Sequence, residues 1–333
     1  MSKVAVFGAG SWGTAFSVVL ADAGNDVTLW ARREELCAII NQKRENTDYL
    51  PGIDLPETVQ ATHDAEKAVD AAEAVFFVLP SQTFRPNLEQ WTEILPQDAL
   101  LVSLMKGVEL GSLKRMSEVI AEVTGAGHDR IGVVSGPNLA KEIASREPAA
   151  SVVACPDEEN VKRLRALCHS ATFRPYSSTD VVGCELGGAY KNVIALAVGM
   201  AVGLGFGDNT TASVITRGLA ETARLAVKLG ADPLTLMGLA GLGDPVATCS
   251  SPLSRNRTFG EKLGKGMTTE EITASTRQVA EGVKSAGSLL ALAQKNDIYA
   301  PLVQAVHTVV EGELTVEQMI ESFVSRETKH ERD

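Results

Sequence analysis

The chain has 333 residues, enough for two domains, and its 44% apolar and 22% charged content is that of an ordinary globular protein. A net charge of −11 argues against nucleic acid or an anionic membrane as partner, because either would repel it. A phosphorylated ligand would therefore need a local cluster of basic residues.

Lys3–Phe7 reads as a buried strand and runs directly into Gly8-Ala-Gly10-Ser-Trp-Gly13. Apolar residues at helical spacing follow over Trp12–Ala23, and Gly24 ends them. Strand, glycine turn and helix in this order form a dinucleotide-binding fingerprint. Gly8 permits the tight turn, Gly10 lets the backbone approach a pyrophosphate, and Gly13 lets helix and strand pack closely. The unpaired N–H groups of the helix start then face the phosphates.

The second strand, Asp26–Ala31, ends in Arg32-Arg33, and no acid sits at its tip to take ribose hydroxyls. Two guanidiniums there suit a 2′-phosphate, so NADP(H) is the preferred cofactor, with NAD(H) tolerated. Further strands are expected at Thr58–Ala61, Ala74–Leu79, Leu100–Ser103, Ile131–Ser135, Ser151–Ala154 and Thr172–Pro175. Helical stretches such as Thr83–Leu95, Leu113–Val123 and Glu158–His169 separate most of them. This alternation predicts an α/β Rossmann fold, a largely parallel doubly wound sheet with ligands at the strands' carboxyl ends.

Beyond Asp180 the strand signals stop, and helices are expected at Tyr190–Leu204, Thr210–Leu229, Pro233–Leu239, Asn256–Lys262, Thr269–Ser275, Val283–Gln294, Pro301–Val310 and Val316–Phe323. Thr268-x-x-Glu271 and Thr315-x-x-Gln318 are capping boxes, and Gly230 closes a long helix. The chain thus divides into a Rossmann dinucleotide-binding domain over 1–183 and an all-helical substrate-binding and catalytic domain over 184–333. The tail Arg326–Asp333 is charged throughout and is expected to fray.

The longest apolar stretch, Val193–Phe206, is too short for a membrane span. Met1 leads straight into the first strand and leaves no room for a signal peptide. Cys37, Cys155, Cys168, Cys184 and Cys249 show no C-x-x-C spacing and read as reduced thiols of a cytoplasmic protein. The five histidines form no metal-ligand spacing, so no metal site is expected.

Three stretches of the helical half carry chemistry. Lys191 stands at the head of the most apolar helix, where burial and a helix N-terminus both disfavour a charged amine and suit it to proton transfer. Asp244, in the glycine-rich turn Gly241-Leu-Gly-Asp244-Pro245, is placed to hold that lysine and bond a substrate hydroxyl. Ser254 reads as a helix N-cap, so its backbone amides with Arg255 and Asn256 form an anion seat. Together with Lys106 they suggest a phosphate-and-carbonyl pocket.

At this point Gly8-Ala-Gly-Ser-Trp-Gly13-Thr-Ala, Lys106-Gly107, Gly136-Pro137-x-x-Ala140-Lys141-Glu142, Tyr190-Lys191-Asn192, Gly241-Leu-Gly-Asp244, Ser254-Arg255-Asn256 and Glu281-Gly282 together resemble the bacterial NAD(P)+-dependent glycerol-3-phosphate dehydrogenases. The match runs through the whole chain in the family's order and spacing. The resemblance implies that Lys191 is the catalytic acid/base, assisted by Asp244. Substrate would be bound by Lys106, Gly136, Asn138, Lys191, Asp244, Ser254, Arg255 and Asn256. Cofactor contacts would come from Ser11, Trp12, Arg32, Arg33, Tyr49, Lys106, Ala140, Arg255, Val279 and Glu281. Asn138 departs from the pattern, since Ser or Thr is frequent there. The implied reaction is reversible reduction of dihydroxyacetone phosphate to sn-glycerol 3-phosphate, feeding glycerophospholipid synthesis, in a homodimer built on the helical domain. The alternatives are a two-domain dehydrogenase of a 3-hydroxy acid or phosphogluconate-type sugar acid, and a non-enzymatic NADP(H) sensor. The second has no need of Lys191, Asp244 and Arg255.

Overall fold

Six strands run parallel in the order β3-β2-β1-β4-β5-β6, the arrangement of a dinucleotide-binding sheet. They are β1 (Lys3–Phe7), β2 (Asp26–Trp30), β3 (Val59–Thr62), β4 (Ala74–Phe77), β5 (Leu100–Ser103) and β6 (Ile131–Ser135). β7 (Ala149–Ala154) pairs antiparallel with β6, and β8 (Phe173–Ser178) pairs parallel with β7 and closes the sheet. The computed structural model describes residues 1–275 and 280–325. Two sequence expectations, the cofactor contact at Val279 and the fraying of Arg326–Asp333, lie outside those residues.

Alternation along the strands fills two cores. Val4 and Val6 of β1 and Phe76 of β4 join Phe16, Ile40 and Leu164 on one face of the sheet. Ala5, Phe7 and Phe77 join Leu88, Trp91 and Ile120 on the other. Because helices cover both faces, every residue of β4, β5 and β6 is buried, as central parallel strands require.

The first half differs from the sequence expectation mainly at element ends. β4 stops at Phe77, two residues early, as the chain turns toward Ser81. The helix expected from Leu113 starts at Met116, because Leu113 itself is left-handed at φ 58°. A short 3-10 turn precedes and another follows the helix Phe84–Trp91, where one continuous helix was expected.

The largest difference concerns the hub of the helical half. The sequence places its start at Tyr190, whereas the helix spans Val181–Gly203. Gly183, Gly187 and Gly188 lower helix propensity in the first turns and hide them from sequence reading. The N-cap Asp180, whose side chain accepts the Gly183 N–H at 2.8 Å, and close packing override that weakness. A Cβ on Gly187 would sit 2.4 Å from the Ala240 carbonyl oxygen. At 23 residues this helix is long and apolar enough to cross a membrane, contrary to the shorter stretch read from the sequence, but 83% of its apolar window is buried inside the protein. It is a core helix.

Around it pack the helices Asp208–Lys228, Arg255–Gly264, Glu281–Lys295 and Pro301–Val310. The contact with Arg255–Gly264 is backbone against backbone. A Cβ on Gly199 would meet the Arg257 carbonyl oxygen at 2.1 Å, and one on Gly260 would meet that of Leu196 at 2.1 Å. Both capping boxes form, at Thr268/Glu271 and Thr315/Gln318. The stretch expected to be a helix over Pro233–Leu239 is a 3-10 turn, Pro233–Met237, followed by a π turn, Leu239–Gly243.

One buried ion pair ties the helical hub to the sheet half. Glu185 accepts from Arg115 at 2.7 Å, from the Ser117 N–H at 2.8 Å and from the Ser117 hydroxyl at 2.6 Å. Burial pushes its carboxyl up, and Arg115 opposes that shift.

Candidate active site

The glycine turn after β1 has the geometry that a pyrophosphate needs. Gly8 adopts φ +124°, and a Cβ there would sit 2.2 Å from the Val78 carbonyl oxygen, so no other residue fits. A Cβ on Gly10 would meet no protein atom within 4 Å, which leaves room above the turn for a ligand. The helix Ser11–Asp22 has no side-chain cap, so its first N–H groups stay available to an anion. The cradle fits a dinucleotide.

A loop after the second helix folds back onto this turn. Asn46, fully buried, donates to the Ala9 carbonyl at 3.0 Å and to the Thr14 hydroxyl at 2.8 Å. Ser11 donates to the Tyr49 carbonyl at 2.7 Å, and Tyr49 leaves 43% of its surface exposed. The loop also corrects the reading that no acid stands at the tip of β2. It carries Asp48 onto the Arg33 guanidinium as an ion pair, while Arg32 stays exposed. Asp48 is distant in sequence from the strand, so the residues of the strand do not reveal it.

The remaining strand ends converge on one cluster. Lys106, just past β5, donates to the Gly136 carbonyl at 2.9 Å and ion-pairs with Asp244. Lys191 approaches the other Asp244 oxygen at 3.4 Å and donates to the Thr248 hydroxyl at 3.1 Å, and Thr248 in turn donates to Asp244 at 3.0 Å. Asp244 is 1% exposed, so one buried carboxylate carries two amines. Burial pushes the Lys106 amine down to about 8; the Asp244 charge opposes this shift and the Lys191 charge adds to it.

Lys191 is therefore not at a helix N-terminus, as the sequence suggested. It lies midway along Val181–Gly203, and the helix dipole is no part of its environment. Asp244 likewise opens the helix Asp244–Ser250 and does not sit in a free turn. That placement puts Thr248 one turn along on the same face, a spacing of four residues that sequence reading overlooked.

The helix cap at Ser254 forms as expected. Ser254 caps the helix Arg255–Gly264, its hydroxyl accepting the Arg257 N–H at 3.2 Å. Arg255 is exposed at this helix start. Asn256 accepts the Gly282 N–H at 3.0 Å and donates to Asn192 at 2.8 Å, and Asn192 donates to the Lys106 carbonyl at 3.1 Å. Asn192, given no role from the sequence, thus links the capped helix at Ser254 to the β5 turn. Burial pushes the Glu281 carboxyl up, against the pull of Arg255, Lys191, Lys106 and the Ser81 backbone.

Asn138 donates to Ser151 at 3.2 Å, but its Oδ1 is buried without a partner, as is the Ser135 hydroxyl beside Lys106. Buried orphan polar atoms are rare, and the side of the cleft that carries them is therefore suited to a polar ligand. The Trp12 indole nitrogen is a third such orphan, next to the glycine turn. Ala140 opens the short helix Ala140–Ala144 beyond β6.

The chain is similar to known glycerol-3-phosphate dehydrogenases over nearly its whole length. The family model described as the NAD-dependent glycerol-3-phosphate dehydrogenase N-terminus matches residues 3–161, and that of the C-terminus matches 180–321. A glycerol-3-phosphate dehydrogenase (NAD(P)+) of Streptomyces griseus subsp. griseus is 60% identical over 330 residues, 99% of this chain and 98% of that one. One from Thermobifida fusca is 58% identical over 333 residues, covering 100% and 99%. Among solved structures, glycerol-3-phosphate dehydrogenase from Coxiella burnetii superposes with a TM-score of 0.93 at 36% identity, covering 98% of this chain and 99% of that chain.

Proposed function

The chain belongs to the NAD-dependent glycerol-3-phosphate dehydrogenase family, and on that premise we propose which of its residues perform the reaction. It is an NAD(P)-dependent oxidoreductase that reversibly reduces dihydroxyacetone phosphate to sn-glycerol 3-phosphate, the backbone of glycerophospholipids. The observation that carries the residue assignment is the buried Asp244 carboxylate with Lys106 and Lys191 gathered on it, beside the capped helix at Ser254.

Bound NADPH or NADH supplies the hydride that C2 of the ketone accepts. As charge grows on the C2 oxygen, the Lys191 ammonium donates a proton to it, so the C–O double bond becomes a C–OH group. The amine regains its proton from solvent before the next turnover. Asp244 and Thr248 hold the amine in place, and the fixed geometry lowers the barrier by orienting it before the reaction begins. The Ser254 helix start, Arg255 and Asn256 seat the phosphate, and Gly136, Asn138 and Lys106 face the rest of the substrate. Gly8 and Gly10 shape the turn that receives the pyrophosphate and Gly13 packs the helix against it, with Ser11, Trp12, Arg32, Arg33, Tyr49, Ala140 and Glu281 around the cofactor. NADP(H) is the preferred form.

Functionally the chain divides near residue 183, cofactor on one side and substrate chemistry on the other. The assembly is a homodimer through the helical half, a reading supported by exposed apolar residues there, among them Leu234 at 73% and Met237 at 71%. Its compartment is the cytoplasm, in keeping with five buried, unbridged cysteines.

Two measurements test the phosphate and amine roles. Arg255→Ala should raise KM for dihydroxyacetone phosphate by about tenfold or more and leave kcat within about threefold, since a charge-assisted contact is worth roughly 1.5–3 kcal/mol. An unchanged KM moves the phosphate elsewhere. The pH profile tests Lys106, whose amine is pushed down to about 8. The protonated form holds an anionic substrate, so kcat/KM should fall as pH rises through about 8. Lys106→Gln should lower kcat/KM and remove that alkaline limb; a limb that persists in the variant belongs to another group.

A further inference from the structure

We propose that Asp48 is a specificity-determining residue: its carboxylate competes with the cofactor's 2′-phosphate for Arg33 and accepts from the ribose hydroxyls of NADH, keeping both cofactors in use. The inference rests on the reading that Arg32 and Arg33 receive the 2′-phosphate.

The geometry comes from three anchors. Buried Asn46 fastens the start of the loop to the glycine turn through Ala9 and Thr14. Its carbonyl accepts the Leu50 N–H at 2.9 Å, which closes the loop around Asp48. Ser11, the first residue of the pyrophosphate-facing helix, donates to the carbonyl of Tyr49, the next residue after Asp48. Asp48 is thereby fixed relative to the cradle, and its carboxylate is held on Arg33 at the tip of β2. Both side chains keep open faces, 41% exposed for Asp48 and 46% for Arg33.

The chemistry follows from that placement. NAD-selective folds carry an acid at the end of the second strand to take the ribose hydroxyls, and NADP-selective ones carry arginine there. This chain presents both, held against each other. A 2′-phosphate seated on Arg33 must displace or share a carboxylate that repels it. A 2′-hydroxyl finds in the same carboxylate an acceptor that Arg32 and Arg33 do not offer. An exposed ion pair is weak enough to be exchanged on binding, so the effect is a graded preference and not an exclusion.

The test is calorimetric titration of NADPH and of NADH into the full-length protein, its Asp48→Asn and Arg33→Ala variants, and the double variant. Direct binding reports the cofactor site whether or not turnover survives. In Asp48→Asn, NADPH should bind about three- to tenfold tighter and NADH weaker by a similar factor, so the preference for NADPH rises. In the Arg33→Ala background, where nothing is left to compete for, the gain in NADPH affinity should shrink to about twofold or less. A preference that stays the same or falls in Asp48→Asn overturns the proposal, since that is the result if the carboxylate merely orients Arg33. A preference unmoved in Arg33→Ala alone shows instead that the arginine reading has failed, and the role of Asp48 falls with it.

Discussion

Lys191→Met is expected to bind NADPH as the parent does and to lose about three orders of magnitude in kcat. The loss is large because no neighbour can take over the proton. Lys106, the other amine on Asp244, is committed to the Gly136 carbonyl and the carboxylate, and Thr248 is a hydroxyl already donating to Asp244. Methionine keeps the volume and flexibility of the side chain, so the buried helix around it is not disturbed. In the proposed assignment Lys191 is not among the cofactor contacts, so nucleotide binding should survive the change. Cofactor titration with single-turnover absorbance at 340 nm separates the two effects. Turnover within about tenfold of the parent would remove Lys191 from proton transfer.

The second large effect is expected at Asp244. In Asp244→Asn, turnover should fall by about two to three orders of magnitude, and the melting temperature should drop by several degrees. Two amines lose their shared counter-charge in a cleft where the carboxylate was 1% exposed. Breaking a buried pair by removing one partner costs roughly 3–5 kcal/mol. Part of this cost is avoided if Lys106 sheds its proton, and the sign of the pH effect identifies that route. The Lys106 amine in the folded protein already titrates below its ordinary 10.5, at about 8, and Asp244 is what holds it up. Without that charge the folded value falls further, so the unfolded chain binds more protons over a wider alkaline window. Stability of the variant relative to the parent should therefore recover as pH rises from neutrality to about 8, where the parent's Lys106 also sheds its proton, and stay level above that. Equal melting temperatures for variant and parent at neutral pH would mean that Asp244 is not the counter-ion of the pair.

These expectations draw on residues that the sequence makes legible to different degrees. The glycine turn, β1, β5, β6 and the Ser254 cap are local features, each decided by a few neighbouring residues, and they form as read. The start of the hub helix at Val181 was not legible. Its first turns contain glycines that oppose helix locally and are chosen for what they pack against, such as the Ala240 carbonyl. The same limit hid Asp48, Asn192 and the Arg115–Glu185 pair, whose partners come from distant parts of the chain. Thr248 is the exception among the residues missed. Its position one turn from Asp244 was readable once Asp244 was placed on a helix rather than in a turn.

Because the Val181–Gly203 and Arg255–Gly264 helices touch main chain to main chain at Gly199 and Gly260, the backbone positions of Lys191 and Ser254 are fixed relative to each other, like the jaws of a caliper. Side chains at either jaw can rotate, but the jaws themselves cannot slide without forcing carbonyls into one another. If Lys191 and the Ser254 helix start hold the two ends of the substrate as proposed, a phosphorylated ketone one carbon longer would have to buckle or leave its oxygen short of the amine. On that reading, discrimination by molecular length would reside in the backbone, where no change of pocket lining could readily undo it.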